Sequence, residues 1–187
     1  MSGAATIVRP TLGPAADEPV PLVAGRSCAG CTLCCKLLRI PELQKPQGKW
    51  CTHCEPRRGC TAYETRPQSC REFFCGYLTS QSLSDAWAPT RSRIVLMGVE
   101  GGIAAVVDRD RPDAWKAAPY YEQIKTWARQ GMGEGWFVIV RIDRKTIAVL
   151  PDREVDLGDM EQGEGIEVGW HPTATGMAYD ARKIAKP

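Results

Sequence analysis

The chain has 187 residues, of which 43% are apolar and 25% charged, and its formal net charge is +2 at neutral pH. This is an ordinary globular composition for one domain, or for one domain with a small appended module. No apolar run approaches the ~20 residues of a membrane-spanning helix, and the small net charge requires no polyanion as a partner.

The first 25 residues are rich in proline and show no periodic apolar pattern. They also carry acids and prolines where a secretory signal peptide needs a basic start and an apolar run of about 7 to 15 residues. We therefore predict a flexible leader over residues 1–25 and a cytoplasmic location.

All the cysteines of the protein fall within one quarter of the chain. They are Cys28, Cys31, Cys34, Cys35, Cys51, Cys54, Cys60, Cys70 and Cys75. Such a concentration at repeated three-residue spacings indicates either disulfides or metal binding. The odd number, the adjacent pair and the expected reducing compartment favour metal.

The spacing suggests how the metal is held. A CxxC turn lets two thiolates bind one ion, and it occurs at positions 28/31, 31/34 and 51/54. If residues 31–40 are helical, Cys31, Cys34 and Cys35 share one face of that helix. Eight thiols would complete two tetrahedral four-sulfur sites and leave one cysteine over, and the spacing does not indicate which one.

A longer pattern includes these turns. The run CxxCxxCC at 28–35, followed by the segment GCTAYETRPQSC at 59–70, resembles the YkgJ-type cysteine-cluster family, a zinc- or iron-chelating domain. The match covers about residues 26–80. The resemblance implies eight ligands: Cys28, Cys31, Cys34, Cys35, Cys51, Cys60, Cys70 and Cys75. Cys54 is then the extra cysteine, although its CxxC spacing with Cys51 keeps it a candidate ligand. The resemblance implies no substrate or reaction.

The charge of the cysteine segment suits bound metal. Residues 28–75 contain eight lysines and arginines against four glutamates, an excess of four positive charges. Two four-thiolate sites around Zn²⁺, or around a 2+ iron–sulfur core, would carry about −2 each and balance this excess. Nucleic-acid binding is therefore the weaker interpretation of the basic residues.

Prolines mark the local structure of the segment. They predict that the first helix ends near Arg39, that a turn at 46–49 returns Cys51 to the first cysteines, and that a short helix over 68–74 presents Cys70 to them. Because the segment has little apolar mass, we expect metal to supply much of its folding free energy, about 10 to 16 kcal/mol. Four polar side chains are candidates for contacts with the sulfurs or the metal: Tyr63, Arg66, Arg71 and His53.

The second half changes to a pattern of strands and one helix. We predict strands at 93–99 and 103–108, a helix from Pro119 capped by Gly131, strands at 136–142 and 145–150, and a further strand at 166–170. The predicted fold class is α+β. A small cysteine-rich metal-binding module with short helices, residues 26–80, is followed by an antiparallel ββαββ module of unknown role, residues 81–187.

The remaining motifs predict no active site. The GMGEG sequence at 131–135 lies between a helix and a strand, whereas phosphate-binding loops follow a strand and begin a helix. No Ser/His/Asp set or carboxylate pair is recognisable, so we do not predict an enzyme.

The prediction is a metal-binding protein with two zinc sites, and an iron–sulfur cluster is the alternative cofactor. Two other functions stay open: a redox protein or auxiliary subunit of a protein-modifying enzyme, and a metal buffer or delivery protein. A protein partner is open, whereas membrane and nucleic-acid partners are not expected.

Overall fold

The computed structural model describes residues 21–28, 30–161 and 163–185. Most of the predicted leader lies outside these residues. The cysteine-bearing segment contains only short elements, in chain order α1 (Leu33–Leu37), a 3-10 turn (Pro41–Leu43), β1 (Cys54–Glu55), β2 (Gly59–Cys60), α2 (Gln68–Glu72) and α3 (Gly76–Thr79).

The rest of the chain contains longer elements. They are a 3-10 turn (Asp85–Trp87), α4 (Pro89–Ser92), β3 (Ile94–Val99), β4 (Gly102–Val107), a 3-10 turn (Ala114–Lys116), α5 (Tyr120–Glu134), β5 (Phe137–Ile142), β6 (Lys145–Val149), β7 (Glu154–Asp159), β8 (Glu164–Thr173) and β9 (Gly176–Ala185). In the described part of the chain, no helix is long and apolar enough to cross a bilayer.

The largest sheet has the strand order β3-β4-β5-β6-β7. Its neighbours are antiparallel except β4 and β5, which run parallel with Gly102 opposite Phe137. Helix α5 forms the crossover between these two strands, because a tight turn cannot join parallel neighbours. The mixed α and β architecture predicted from the sequence is confirmed, but the prediction of a purely antiparallel sheet was wrong.

Both faces of the sheet are buried, which explains the nearly continuous apolar runs of its strands. Side chains alternate along β4, so that Ile103, Ala105 and Val107 belong to the core under α5. Ala104 and Val106 point to the opposite face and belong to a second core. The sheet is therefore the middle layer of the protein.

The second core draws on both halves of the chain. Leu33 and Leu37 of α1 and Leu78 of α3 are buried together with Ile139 and Leu150 of the sheet half. The cysteine-bearing segment thus compensates for its small apolar content by packing on the face of the sheet.

Several element boundaries differ from the sequence-based predictions. Helix α1 begins at Leu33, so Cys31 precedes it instead of sharing its face. Helix α5 continues past Gly131 and ends at Gly135, whose φ of +80° provides the left-handed cap. Position 131 requires a glycine for a different reason, because a Cβ there would collide with the carbonyl of Trp136.

The last part of the chain is richer in strands than predicted. The strand expected at 166–170 extends over Glu164–Thr173 and pairs with β9 in a long antiparallel hairpin. The sequence did not predict β7 or β9. Their short runs of apolar residues are interrupted by charged residues and glycines, so the period of two is weak in both.

A buried ion pair joins the cysteine-bearing segment to the sheet. The Lys36 ammonium at the end of α1 lies 2.6 Å from a carboxylate oxygen of Asp108, which is fully buried just after β4. The other oxygen of Asp108 accepts a hydrogen bond from the Arg93 guanidinium. Burial alone would raise the pKa of Asp108, but these partners and the Asp110 amide outweigh it and hold the pKa below its usual value.

We expect Asp108→Ala to lower the free energy of unfolding by about 3 to 5 kcal/mol, because it removes one partner of a buried pair and leaves the other charged. The matched control is Asp110→Ala. Asp110 also contacts Lys36, at 2.5 Å, but its side chain is 68% exposed, and the loss should be below about 1 kcal/mol. Urea unfolding of both variants measures the difference, and equal losses would contradict this account of the ion pair.

Candidate metal centre

One cavity of about 740 Å³ lies within the cysteine-bearing segment. Eight cysteines line it, contributed by the loop before α1, by α1, by the approach to β1, by β2, by α2 and by the start of α3. They are Cys28, Cys31, Cys34, Cys35, Cys51, Cys60, Cys70 and Cys75. Cys54 is not among the lining residues. The thiols from separate parts of the sequence are thus brought to one place.

Backbone hydrogen bonds position these cysteines. The predicted CxxC turns form at 28/31 and 51/54, where the amide of the second cysteine donates to the carbonyl of the first at 3.0 and 3.1 Å. The Cys51 amide also donates to the Cys35 carbonyl at 3.0 Å. This bond joins the returning chain to α1, as the turn at 46–49 predicted.

The first group of thiols lies beside the start of α3. Burial raises the pKa of Cys75 to about 11, and the charges of Cys28 and Cys31 add to this increase. Cys28 is an exposed residue, but neighbouring atoms partly desolvate its thiol; this desolvation and the charge of Cys31 raise its pKa, while the nearby Arg66 guanidinium lowers it. These three thiols therefore lie close enough to repel one another when ionised.

The second group lies beside α2 and β1. Burial raises the pKa of Cys70, and the charges of Cys35 and Cys51 act in the same direction. The pKa of Cys54 is raised to about 12 by burial and then by Cys35, to which it is hydrogen-bonded. Cys54 thus adjoins this group although it does not line the cavity.

The adjacent cysteines of α1 lie between the two groups. The hydrogen bond with Cys34 is the largest cause of the raised pKa of Cys35, followed by burial. Cys35 also raises the pKa of Cys28 and Cys31 in one group and of Cys70 in the other. Helix α1 can therefore contribute a thiol to each side.

The charged residues among the described lining of the cavity are basic. Its lining contains no aspartate or glutamate among the described residues but includes five arginines: Arg26, Arg39, Arg58, Arg66 and Arg71. Such a surface suits an anionic content, and ionised thiols bound to metal would provide it.

The donor set fits zinc or an iron–sulfur cluster, because both accept four thiolates in tetrahedral arrangements. Among the described residues, however, no three His, Cys, Asp or Glu side chains are arranged to hold a metal ion. The thiols surround the cavity without converging on a point. Protonated thiols do not attract one another strongly, and ionised thiols repel unless a cation lies between them.

The four polar candidates lie at the edge of the cavity. Arg66 stacks on the Tyr63 ring at 3.9 Å and donates to the Tyr63 carbonyl at 2.6 Å. Arg71 and His53 also line the cavity with exposed side chains. Contacts between these groups and sulfur or metal remain a prediction.

Two residues near the thiols carried no signal in the sequence. The Thr32 hydroxyl accepts a hydrogen bond from the Arg57 amide at 3.3 Å and is hydrogen-bonded to Cys54. Lys45 is buried beside the end of α1. Neither belongs to a spacing pattern, so only the packing of the chain reveals them.

No family model, curated protein or solved structure matches this chain. The resemblance to the YkgJ-type family therefore rests on the cysteine spacing described above.

The raised thiol pKa values predict how pH affects the metal-free protein. Below pH 9 the Cys75 thiol is protonated in both the folded and the unfolded state, so its ionisation does not yet lower the free energy of unfolding. As the pH rises from its ordinary pKa of 9.0 toward about 11, the unfolded chain loses the proton first. The free energy of unfolding should therefore fall by roughly 2 to 3 kcal/mol over this pH interval.

Thermal unfolding of reduced, chelator-treated protein at several pH values measures this fall. The Cys75→Ala variant is the matched control and should lose correspondingly less, since it lacks the titrating thiol. Metal-loaded protein should behave differently, because its thiols are already deprotonated and its affinity for metal rises with pH. Equal pH dependence of the variant and the parent would contradict the role of Cys75.

Proposed function

We propose that this chain is a cytoplasmic metal-binding protein that holds zinc through the cysteine thiolates lining the cavity. The observation that carries the proposal is that eight cysteines, separated by up to 47 positions in the sequence, surround one cavity. Chance burial of small apolar side chains would not gather nearly every cysteine of a protein in one place. The resemblance to a metal-chelating family supports the same function.

The two groups of thiols support two adjacent sites. In the proposed arrangement, Cys28, Cys31 and Cys75 form one site, and α1 supplies its fourth ligand. The other site takes Cys51, Cys60 and Cys70 with the remaining cysteine of the pair Cys34 and Cys35. Cys60 belongs there because it lies opposite Cys54 in the β1–β2 hairpin, which follows Cys51.

Bound zinc would fix the geometry of the segment. Four-thiolate zinc sites are closed and structural, and they add their binding free energy to folding. The arginines around the cavity would balance the negative charge of such sites. The exposed surface of the segment or of the sheet half would then be available to a protein partner.

A second candidate is an iron–sulfur protein that transfers or senses electrons. The same all-sulfur ligands suit it, and Cys28 at the edge of the cavity is exposed, so that a redox partner could approach within a short distance. An auxiliary role beside a protein-modifying enzyme belongs to this candidate.

Anaerobic purification followed by metal analysis and a visible spectrum tests the proposal. We expect a colourless protein with about two zinc ions per chain. A brown protein that contains iron and acid-labile sulfide would replace zinc with the second candidate. A folded protein that binds neither metal would refute both.

Two cysteine variants locate the ligands. Cys70→Ser should reduce the bound zinc from about two ions to about one, because it removes a thiolate from the second site only. Cys54→Ser changes the neighbouring thiol that does not line the cavity, and it should retain both ions. Loss of zinc from Cys54→Ser together with retention in Cys70→Ser would contradict the proposed ligand set.

A chelator titration separates a structural site from a metal buffer or delivery function. A large fall in the unfolding temperature as zinc is removed is expected for the structural site, because the binding free energy of the metal is then lost from folding. An unfolding temperature that zinc removal leaves unchanged would instead favour the buffer function.

A further inference from the structure

Lys45 is a buried cation that forms no ion pair with a carboxylate in the described part of the chain. Only 7% of the residue is exposed. Its ammonium group donates to the carbonyls of Lys36 at 3.2 Å and Pro46 at 3.1 Å, and also to the carbonyl of Leu38. These three carbonyls accept all three of its protons, but none of them carries a full negative charge.

Lys36 shows how the protein treats its other buried lysine in this segment. Its ammonium lies 2.6 Å from Asp108 and 2.5 Å from Asp110, so its charge is neutralised directly. Among the described residues, no carboxylate lies within 4.0 Å of the Lys45 ammonium. An isolated buried charge is strongly unfavourable, which leaves the positive charge of Lys45 to be explained.

The contacts of the ammonium lie next to cysteines. Lys36, whose carbonyl accepts one of its hydrogen bonds, directly follows Cys35, and Leu38 lies two residues further along the chain. Burial lowers the pKa of Lys45, while the charges of four cysteines raise it, in decreasing order Cys51, Cys35, Cys34 and Cys70. Lys45 in turn lowers the pKa of Cys35. The Lys45 ammonium and the Cys51 amide are bonded to the successive carbonyls of Lys36 and Cys35, so the ammonium lies on the side of α1 to which the second group of thiols returns.

We propose that Lys45 is a positioning residue whose fixed positive charge compensates the thiolates of the second metal site and keeps metal bound there. The inference rests on the proposed function. Zinc with four thiolates carries a net charge of about −2, and a buried cation beside it reduces the electrostatic penalty of enclosing that charge.

The alternative explanation is that Lys45 only caps α1. Lysine near a helix C-terminus commonly binds the last carbonyls, and the three hydrogen bonds of Lys45 satisfy this purpose. The two explanations require different properties of the side chain. A cap needs hydrogen-bond donors, whereas compensation of thiolates needs a charge.

The test compares Lys45→Gln, which keeps donors but loses the charge, with Lys45→Arg, which keeps both. Zinc alone is the probe, measured by competition with a coloured chelator on the full chain. We expect Lys45→Gln to weaken the binding of one of the two zinc ions by about tenfold or more. Lys45→Arg should remain within about threefold of the parent, and the other zinc ion should be unaffected in both variants.

Lys49→Gln is the matched control for net charge. It removes the same charge from an exposed side chain two residues before Cys51, where solvent screening should leave zinc affinity nearly unchanged. Cobalt substitution adds a spectroscopic measurement, because the sulfur-to-cobalt absorption of the second site alone should decrease in Lys45→Gln.

Each outcome separates the inference from the proposed function. Equal zinc affinities of Lys45→Gln and Lys45→Arg would overturn the role of the charge while leaving the metal-binding function intact. A parent protein that binds no metal would overturn both. If Lys45→Gln does not fold, Lys45→Met replaces it, since methionine fills a similar volume without charge, and the same comparison with Lys45→Arg applies.

Discussion

The gathering of eight thiols around one cavity is the constraint on which the first half of this protein depends. Eight cysteines surround one cavity whose described lining contains five arginines and no carboxylate. Ionised sulfurs at such close quarters separate unless a cation lies between them, and protonated sulfurs provide little cohesion. Desolvation, which raises the pKa of Cys28, Cys31, Cys70 and Cys75, favours the protonated form, so that a metal ion bound as we propose would have to displace the protons.

The sheet half supplies the stability that the short cysteine-bearing elements lack. Leu33 and Leu37 pack on the sheet face opposite α5, and the buried Lys36–Asp108 pair fixes α1 against the end of β4. The cysteines of α1 are therefore attached to the sheet, while those of β2 and α2 lie in elements of only two and five residues. In the proposed metal sites, α1 would supply the ligands that packing on the sheet positions.

The cysteine spacing predicted the most informative part of the site. The CxxC turns, the return of Cys51 to α1 and the short helix that bears Cys70 all appear, because each depends on local backbone geometry. The sequence could not show that Cys54 does not line the cavity or that Lys45 is buried at the end of α1. Both facts depend on how separate segments of the chain pack together, and such packing produces no spacing pattern in the sequence.

The errors in the fold have similar causes. The sequence indicated β3 to β6, β8 and the long helix, but not that β4 and β5 run parallel, since strand direction follows from the path of the connecting helix. Gly131 was predicted to cap the helix because of its residue type, but Gly135 is the cap. A glycine is needed at position 131 because any side chain there would collide with Trp136.

X-ray absorption of the protein purified without oxygen tests the central claim most directly, because it reports the ligands of the bound metal. The account predicts about four sulfur neighbours for each metal ion, at about 2.3 Å if that ion is zinc. A metal shell made of nitrogen and oxygen ligands, or protein that carries no metal when purified in this way, would contradict it.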